Sequence, residues 1–171
     1  MQNIFFQKFT DFENETFLKT NVEALTFSET IHKVDSLANH YIKLGFNKGD
    51  RIAILSENSS AFTFNFLALW RIGAIAVPIN TRWPEQQISS NLNKLEIKSI
   101  LYSNKYKAIA EILKLGITAH KMAISNESEI PQKITDENED ATIIFTSGST
   151  SKPKAALHTF NNHFYNALGS N

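Results

Sequence analysis

The sequence predicts an α/β fold, with a mostly parallel sheet flanked by helices on both faces. Two observations support this prediction. Short apolar runs such as residues 51–55 and 74–78 lack the alternation of half-exposed strands, and each run is followed by a longer helical pattern. With 171 residues and 42% hydrophobic content, the chain can bury a core of its own. We therefore expect residues 1–171 to form a single subdomain.

The first part of the chain combines an irregular aromatic segment with a clear helix. Residues 1–24 are rich in phenylalanine without regular spacing, so we expect them to pack as an arm on the surface of the domain. Thr26 and Glu29 have the spacing of a capping box, in which each side chain bonds the backbone N–H of the other residue. Apolar residues behind them recur at three- and four-residue steps, which predicts an amphipathic helix ending at Gly45.

The rest of the chain alternates between apolar strands and helices. Polar residues or prolines mark the helix starts, and glycines mark several of the ends. We expect strands at residues 51–55, 74–78, 97–102, 121–124 and 141–145, with residues 155–158 as a hairpin or crossover partner of the last. We expect helices from Asn58 or Ser59 to Gly73, from Pro84 through Leu95, from Tyr106 to Gly116, and over residues 160–168. Residues 126–140 are rich in carboxylates and are expected to form a solvated loop.

Composition narrows the classes of function. The 17 basic and 17 acidic residues give a formal net charge of zero, which argues against a dedicated nucleic-acid-binding protein. The absence of cysteine excludes a disulfide scaffold, a thiolate nucleophile and a cysteine-ligated metal site. The N-terminus lacks the pattern of a signal peptide, and polar residues interrupt the apolar stretch 61–79. We therefore expect a cytoplasmic protein without a membrane span.

The stretch most indicative of function is the segment 146–154, which reads TSGSTSKPK and follows the apolar run 141–145. Its hydroxyls, backbone N–H groups and lysines form the kind of surface that a phosphate chain needs, and Gly148 allows a positive φ. In parallel sheets, ligands bind at the carboxyl ends of strands, which is where this segment is expected to lie. On composition alone, an ordinary polar surface loop remains an alternative interpretation.

With its flanking residues, this segment reads FTSGSTSKPKA and resembles the phosphate-binding signature of the adenylate-forming acyl-CoA synthetases, roughly [YF]-T-S-G-[ST]-T-G-x-P-K-G. It departs from that pattern at Ser151 and Ala155, where the family usually has glycine. Two earlier blocks resemble the opening helix–strand units of the family, so the resemblance covers nearly the whole chain: LTFSETIHKVDSLANHYIKLGFNKGDRIAIL and LALWRIGAIAVPIN. Within the family, the run HTFNNHFYNALGSN resembles the o-succinylbenzoate–CoA ligases of menaquinone synthesis.

The resemblance implies that the chain is the N-terminal portion of an ATP-dependent acid–thiol ligase. Members of the family join a carboxylate to ATP, release pyrophosphate, and pass the acyl group from the acyl-adenylate to a thiol, usually that of coenzyme A. Carried over to this sequence, Lys154 would be the catalytic residue that steadies the departing pyrophosphate, whereas Lys152 matches a variable position. The residues that would bind the ATP phosphates are Thr146, Ser147, Gly148, Ser149, Thr150 and Ser151.

The same resemblance implies ATP, Mg²⁺ and coenzyme A as cofactors and a small-molecule carboxylate as substrate, although the segment contains no identifiable metal ligand. Because the family's adenine contacts, acyl pocket and mobile C-terminal domain would follow Asn171, we expect the chain to be inactive alone. Its unfinished sheet edge is expected to pair with a second copy, giving a homodimer. Two alternatives stay open: a non-catalytic phosphate- or nucleotide-binding domain, favoured by Ser151 and Ala155, and an amino-acid-activating adenylation domain.

The five histidines differ in their distance from the TSGSTSKPK segment. His32, His40 and His120 are interpreted as surface or half-buried residues without a ligand role. His158 and His163 lie close to the segment in the sequence, and they are candidates for facing a substrate.

Overall fold

The computed structural model describes residues 4–113, 118–122, 136–146 and 153–170. Within these ranges the helices are α1 Ile4–Asp11, α2 Phe27–Lys43, α3 Ser60–Arg71, α4 Glu85–Lys94, α5 Lys107–Ile112 and α6 Phe160–Leu168. The strands are β1 Thr16–Lys19, β2 Ala24–Thr26, β3 Arg51–Leu55, β4 Ile75–Pro78, β5 Ser99–Tyr102, β6 Thr118–Lys121, β7 Asp140–Thr146 and β8 Lys154–Thr159.

The central sheet has six strands in the order β6-β5-β3-β4-β7-β8. All neighbouring pairs are parallel except β7 and β8, which form an antiparallel hairpin. The chain steps from β3 to β4 in one direction, and then returns past β3 to β5 in the other. Right-handed crossovers in opposite directions place their helices on opposite faces of the sheet. The predicted α/β fold, with a mostly parallel sheet and helices on both faces, is confirmed.

The four central strands β5, β3, β4 and β7 each contribute to two separate hydrophobic clusters. On β3, Ile52 and Ile54 belong to the cluster that contains residues of α1, α2 and α3. Ala53 and Leu55 belong to the cluster on the other face, where residues of α4 pack. Since all four side chains are 2% exposed or less, β3 is buried on both faces and reads as a continuous apolar run.

Residues 4–26 differ from the surface arm expected from the sequence. They form α1 and a two-stranded antiparallel sheet of β1 and β2. Phe6 and Phe9 are only 1% and 3% exposed and belong to the main core, and the Phe5 ring meets Trp70 of α3 at 5.0 Å between centroids. Phe5, Phe6, Phe9 and Phe17 show no single period because a short helix and a hairpin both turn them toward the same core, whereas Phe12 is exposed.

Local signals placed most of the helix ends correctly. The capping box is present, since the Glu29 N–H donates to Thr26 Oγ1 at 3.1 Å and the Thr26 N–H donates to Glu29 Oε2 at 2.8 Å. Gly45 and Gly73 have φ of +89° and +73°, the left-handed conformation that ends α2 and α3. Ser59, rather than Asn58, caps α3 by accepting from the Phe62 N–H.

Other boundaries differ from the prediction. Pro84 occupies the cap position just before α4 instead of its first turn. A 3₁₀ turn at Asn104–Tyr106 precedes the short α5, and the predicted helix end at Gly116 lies outside the described residues. The strand predicted at 121–124 begins earlier: β6 runs from Thr118 to Lys121, because its pairing with β5 places Thr118 beside Ser99. Residues 123–124 lie outside the described residues. Of the carboxylate-rich segment 126–140, only residues 136–140 are described, and Asp140 already belongs to β7.

A buried ion pair joins the helices of one layer. The Nε of Arg71, at the end of α3, donates to Asp35 Oδ1 of α2 at 2.6 Å, and the two side chains are 11% and 6% exposed. The Arg71 guanidinium also lies over the ring of Phe6, 5.1 Å from its centroid. This contact ties α1, α2 and α3 together.

None of the helices in the described ranges has the length and apolar character that a membrane crossing requires.

Candidate phosphate-binding site

The two ends of the TSGSTSKPK segment meet where β7 ends and β8 begins. Thr146, the last residue of β7, pairs with Lys154, the first residue of β8. The Thr146 hydroxyl donates to the Lys154 carbonyl oxygen at 3.4 Å, and both residues are exposed. Residues 155–158 therefore belong to the antiparallel partner of β7, which decides in favour of the hairpin over the crossover predicted for them. The remaining predicted phosphate-binding residues lie outside the described ranges: Ser147, Gly148, Ser149, Thr150 and Ser151.

β7 ends on the side of the sheet formed by the carboxyl ends of the parallel strands, where open α/β proteins bind ligands. Because β7 runs parallel to β4, the carboxyl ends of both strands lie at this edge. The connections that leave β3 and β4 go to opposite faces, and ligands bind in the crevice between such strands. Trp83, which follows β4, packs edge-on against Phe145 of β7, with ring centroids 5.1 Å apart. This contact joins the β4–α4 connection to the strand that leads into the segment.

Further polar residues follow β3 and β5 at the same edge. The Ser103 hydroxyl donates to Glu57 Oε2 at 2.5 Å. This hydrogen bond is the main reason that the pKa of the Glu57 carboxyl lies below its usual value, with smaller contributions from the Glu57 backbone and from Lys105. The sequence pattern did not single out this pair; its only signal was that each residue follows a buried strand.

A hydrogen-bonded cluster joins β7 of the hairpin to α3 and α6. Trp70 Nε1–H approaches the Ala141 carbonyl at 2.9 Å and Thr142 Oγ1 at 3.1 Å. His163 Nε2 lies 3.0 Å from the same hydroxyl. Burial lowers the pKa of the His163 imidazole, and the neighbouring His158 lowers it further. The sequence did not predict this cluster, because its members come from three distant elements.

The two histidines proposed as substrate-facing candidates lie together on the α6 side of the hairpin. The ring centroids of His158 and His163 are 5.6 Å apart, and His163 lies 4.8 Å from the Trp70 ring. Among the described residues, no group of three or more histidine or carboxylate side chains is placed to hold a metal ion. What the edge does offer is exposed hydroxyl and ammonium groups at the ends of a hairpin turn, which is chemistry suited to an anion.

Comparison with known families and proteins finds one family over almost the whole chain. Residues 5–171 match the family described as AMP-binding enzyme. The 2-succinylbenzoate–CoA ligase of Bacillus anthracis (strain A0248) is 29% identical over 157 residues, which cover 92% of this chain and 32% of that protein. The ligase of the same name from Oceanobacillus iheyensis is 33% identical over 149 residues, 86% of this chain and 31% of that protein. The chain thus spans about a third of the length of these relatives.

Solved structures share the fold over almost the whole chain. The o-succinylbenzoate CoA synthetase (MenE) from Bacillus subtilis, in complex with the acyl-adenylate intermediate OSB-AMP, superposes with a TM-score of 0.87 and 22% identity, covering 99% of this chain and 45% of that one. The N-terminal subdomain of Klebsiella oxytoca NpsA, in complex with 3-hydroxybenzoyl-AMSN, gives a TM-score of 0.81 and 23% identity, covering 94% of this chain and 41% of that one.

Proposed function

The chain belongs to the AMP-binding enzyme family, and from this premise we propose that it is the N-terminal portion of an ATP-dependent acid–thiol ligase. In this proposal residues 1–171 are one subdomain of the ligase, and the TSGSTSKPK segment binds the ATP phosphates. The observation that carries the proposal is the pairing of Thr146 with Lys154, the two ends of that segment. This pair lies at the carboxyl end of β7, on the side of the sheet where ligands bind.

The proposed substrate is 2-succinylbenzoate, and the proposed pathway is menaquinone synthesis. The support is that relatives matching 92% and 86% of the chain carry the name 2-succinylbenzoate–CoA ligase. These relatives favour a CoA ligase over the two alternatives, an amino-acid-activating domain and a non-catalytic nucleotide-binding domain. Coenzyme A is accordingly the proposed acyl acceptor, and the cytoplasm is the proposed location.

In the proposed reaction a carboxylate oxygen attacks the α-phosphorus of ATP, and the bond from this phosphorus to the bridging oxygen breaks. Pyrophosphate leaves with the electron pair, so negative charge grows on the leaving group. Lys154 would offset that charge, since phosphoryl displacement depends mainly on positioning and electrostatic stabilisation. The thiol of coenzyme A then attacks the acyl carbon and AMP leaves.

Thr146 must change partner to take part in this chemistry. A hydroxyl has one O–H to donate, and phosphate oxygens only accept. In the structure the Thr146 O–H points to the Lys154 carbonyl, but at 3.4 Å this hydrogen bond is long. Rotation of the hydroxyl toward a phosphate would therefore cost little.

Mg²⁺ fits this site only as a companion of the nucleotide. Hard cations of this kind take oxygen ligands, often substrate phosphates and water, and the described residues offer no cluster of carboxylates at this edge. We propose that phosphate oxygens hold the ion, which would lower the charge of the phosphate chain while the segment orients it.

A homodimer through the sheet edge is also part of the proposal. β8 is the last strand of the sheet in the described part of the chain, and Leu157 on it is 52% exposed. An unpaired edge with an exposed apolar residue favours pairing with a second copy. Sedimentation equilibrium should show a dimer that the substitution of Leu157 by lysine dissociates. A monomer at high concentration would contradict the dimer and leave the ligase proposal unaffected.

The ligase proposal is tested by sequencing the gene past the codon for Asn171. We expect the reading frame to continue, and we expect its full product to release AMP and pyrophosphate from ATP when both 2-succinylbenzoate and coenzyme A are present. The 171-residue chain alone should release none. Release of AMP by the short chain, or a full product that does not respond to any carboxylate, would contradict the proposal.

A further inference from the structure

The hairpin that carries the TSGSTSKPK segment has a short backbone connection to the rest of the sheet. Between β4 and β7 the paired residues are Ala76 and Thr142. Continuing this register brings Pro78 beside Ile144, and proline has no N–H to donate. At Pro78 the β4–β7 ladder therefore lacks one donor, and Ala76–Thr142 is the pair that joins the two strands. Thr142 is the point at which β7 is still held by β4 on one side and, through His158, by β8 on the other.

The side chain of Thr142 is held at the same point by two rings. Its hydroxyl lies 3.1 Å from Trp70 Nε1 and 3.0 Å from His163 Nε2, and the residue is 1% exposed. An indole N–H can only donate, so the Thr142 oxygen accepts from Trp70. The Thr142 hydroxyl has a second lone pair and one O–H, so it bonds to His163 Nε2 as acceptor or as donor, according to the tautomer of the imidazole.

The two rings are fixed by their own packing. Phe160, one helical turn before His163 on α6, is 2% exposed and packs against Trp70 with ring centroids 5.2 Å apart. Thr159 caps α6 at the start of that turn by accepting from the Asn162 N–H. Trp70 itself is 4% exposed. The Thr142 hydroxyl thus bonds to a rigid layer formed by α3 and α6.

We propose that His163 is a positioning residue that, through Thr142, holds β7 against this layer and so sets where the phosphate-binding segment begins. The inference rests on the proposed function only in taking the segment to bind phosphate. His163 acts through Thr142, which comes four residues before Thr146.

Protonation of His163 would weaken the arrangement. Burial disfavours the charged imidazolium and lowers its pKa, and the Nε2–H of an imidazolium could only donate to Thr142 Oγ1, whereas the Nε2 of a neutral ring can also accept. On α6 itself His163 is the one titratable group apart from Tyr165. The elements packed around it carry five other charged or titratable groups: Arg71, Glu139, Asp140, Lys154 and His158. Of these, Arg71 is paired with Asp35 and Glu139 is paired with Lys48.

The test measures hydrogen–deuterium exchange of the 171-residue chain in the peptide that covers β7. His163→Leu keeps an apolar side chain but cannot accept from Thr142, and His163→Gln can accept without titrating. At pH 7.5 we expect exchange of the β7 amides to be on the order of fivefold to tenfold faster in His163→Leu, the effect of one lost hydrogen bond, and close to wild type in His163→Gln. His32→Leu, a change at an exposed histidine of α2, should leave β7 exchange unchanged.

The pH dependence separates positioning from mere packing. Between pH 7.5 and 5.5 the protection of β7 should fall in the wild type and stay constant in His163→Gln, after correction for the intrinsic exchange rate. Equal pH dependence in the two proteins, or unchanged β7 exchange in His163→Leu, would overturn the proposal. If His163→Leu does not fold, the comparison of wild type with His163→Gln still tests the proposal. Thr142→Val provides a second way to remove the hydrogen bond between Thr142 and His163.

Binding of pyrophosphate, measured by calorimetry on the same proteins, keeps the two proposals apart. We expect His163→Leu to bind pyrophosphate several-fold more weakly than the wild type. A wild-type chain that binds no pyrophosphate would count against the phosphate-binding segment, and the exchange experiment would still decide the role of His163. Unchanged pyrophosphate affinity together with faster β7 exchange would overturn the link between His163 and the segment.

Discussion

Trp83 packs edge-on against Phe145 with ring centroids 5.1 Å apart and an interplanar angle of 77°. Phe145 is the residue before Thr146, and Trp83 belongs to the connection between β4 and α4. The pair therefore joins the β4 connection to β7 beyond the Ala76–Thr142 backbone pair of the two strands.

Substitution of Trp83 by alanine should destabilise the chain and loosen the end of β7. Full removal of a core tryptophan costs about 3–5 kcal/mol, and because Trp83 is only half-buried we expect roughly 1–3 kcal/mol in urea unfolding. Trp83→Phe preserves an aromatic edge contact and should cost less. Equal losses in both variants would show that the contact with Phe145 is not the stabilising element.

Lys154→Met should weaken pyrophosphate binding by the 171-residue chain about tenfold or more, because an ammonium group at the base of the segment offsets phosphate charge. Lys152→Met is the matched control, since it removes the same charge two residues away at a position that is variable in the family. Titration at two salt concentrations should show a smaller salt dependence only in Lys154→Met. Equal losses in both variants would indicate a general charge effect and contradict a specific role of Lys154.

Removal of one partner of the Asp35–Arg71 pair should lower the free energy of unfolding strongly, whereas replacement of both partners by apolar residues should lower it much less. Arg71→Met leaves a carboxylate buried without its partner, and we expect a loss of about 3–5 kcal/mol in the free energy of unfolding. The double variant Asp35→Leu/Arg71→Met removes both charges and should be clearly more stable than Arg71→Met. As a control, Lys107→Ala at the exposed pair with Glu111, whose side chains are 62% and 45% exposed, should cost about 0.5 kcal/mol or less. A double variant no more stable than Arg71→Met would contradict this account.

The chain should lose stability as the pH falls below about 6.5, the ordinary histidine pKa. Burial lowers the pKa of His120, with a further contribution from His40, and the pKa of His163 is lowered as described above. For groups with a lowered folded-state pKa, the unfolded chain binds protons first, so their contribution to stability is complete above the unfolded pKa and declines as the pH falls through it. Urea unfolding between pH 7.5 and 5 should show a smaller decline in His120→Gln/His163→Gln. An equal decline would assign the pH dependence to other groups.

Local chemistry explains what could be predicted from the sequence. The Thr26–Glu29 capping box and the glycines with positive φ are short-range features, so their signals lie within a few neighbouring residues. The continuous apolar run of β3 indicates burial on both faces without any knowledge of the partner strands. The fold class follows from these local signals together with their alternation along the chain.

Non-local packing explains what the sequence did not predict. The register of β6 depends on β5, and the irregular phenylalanines of residues 4–26 find their places only against α2 and α3. The bonds from Trp70 and His163 to Thr142 join residues that are 72 and 21 positions apart. Within the candidate site, the sequence predicted Thr146 and Lys154 as site residues, but not their pairing or the aromatic and hydroxyl contacts that hold their strands.

The antiparallel pairing of β7 with β8 has a consequence for the order of folding. Thr146 and Lys154 are eight residues apart in the chain, whereas the contact of Thr142 with Ala76 closes a much longer stretch. Hairpins form within microseconds, and contacts between distant residues are slower because more chain entropy is lost. The hairpin can therefore form before β7 docks beside β4. Substitutions at Thr146 or Lys154 should then alter the rate of hairpin closure while leaving the later assembly of the parallel strands unaffected.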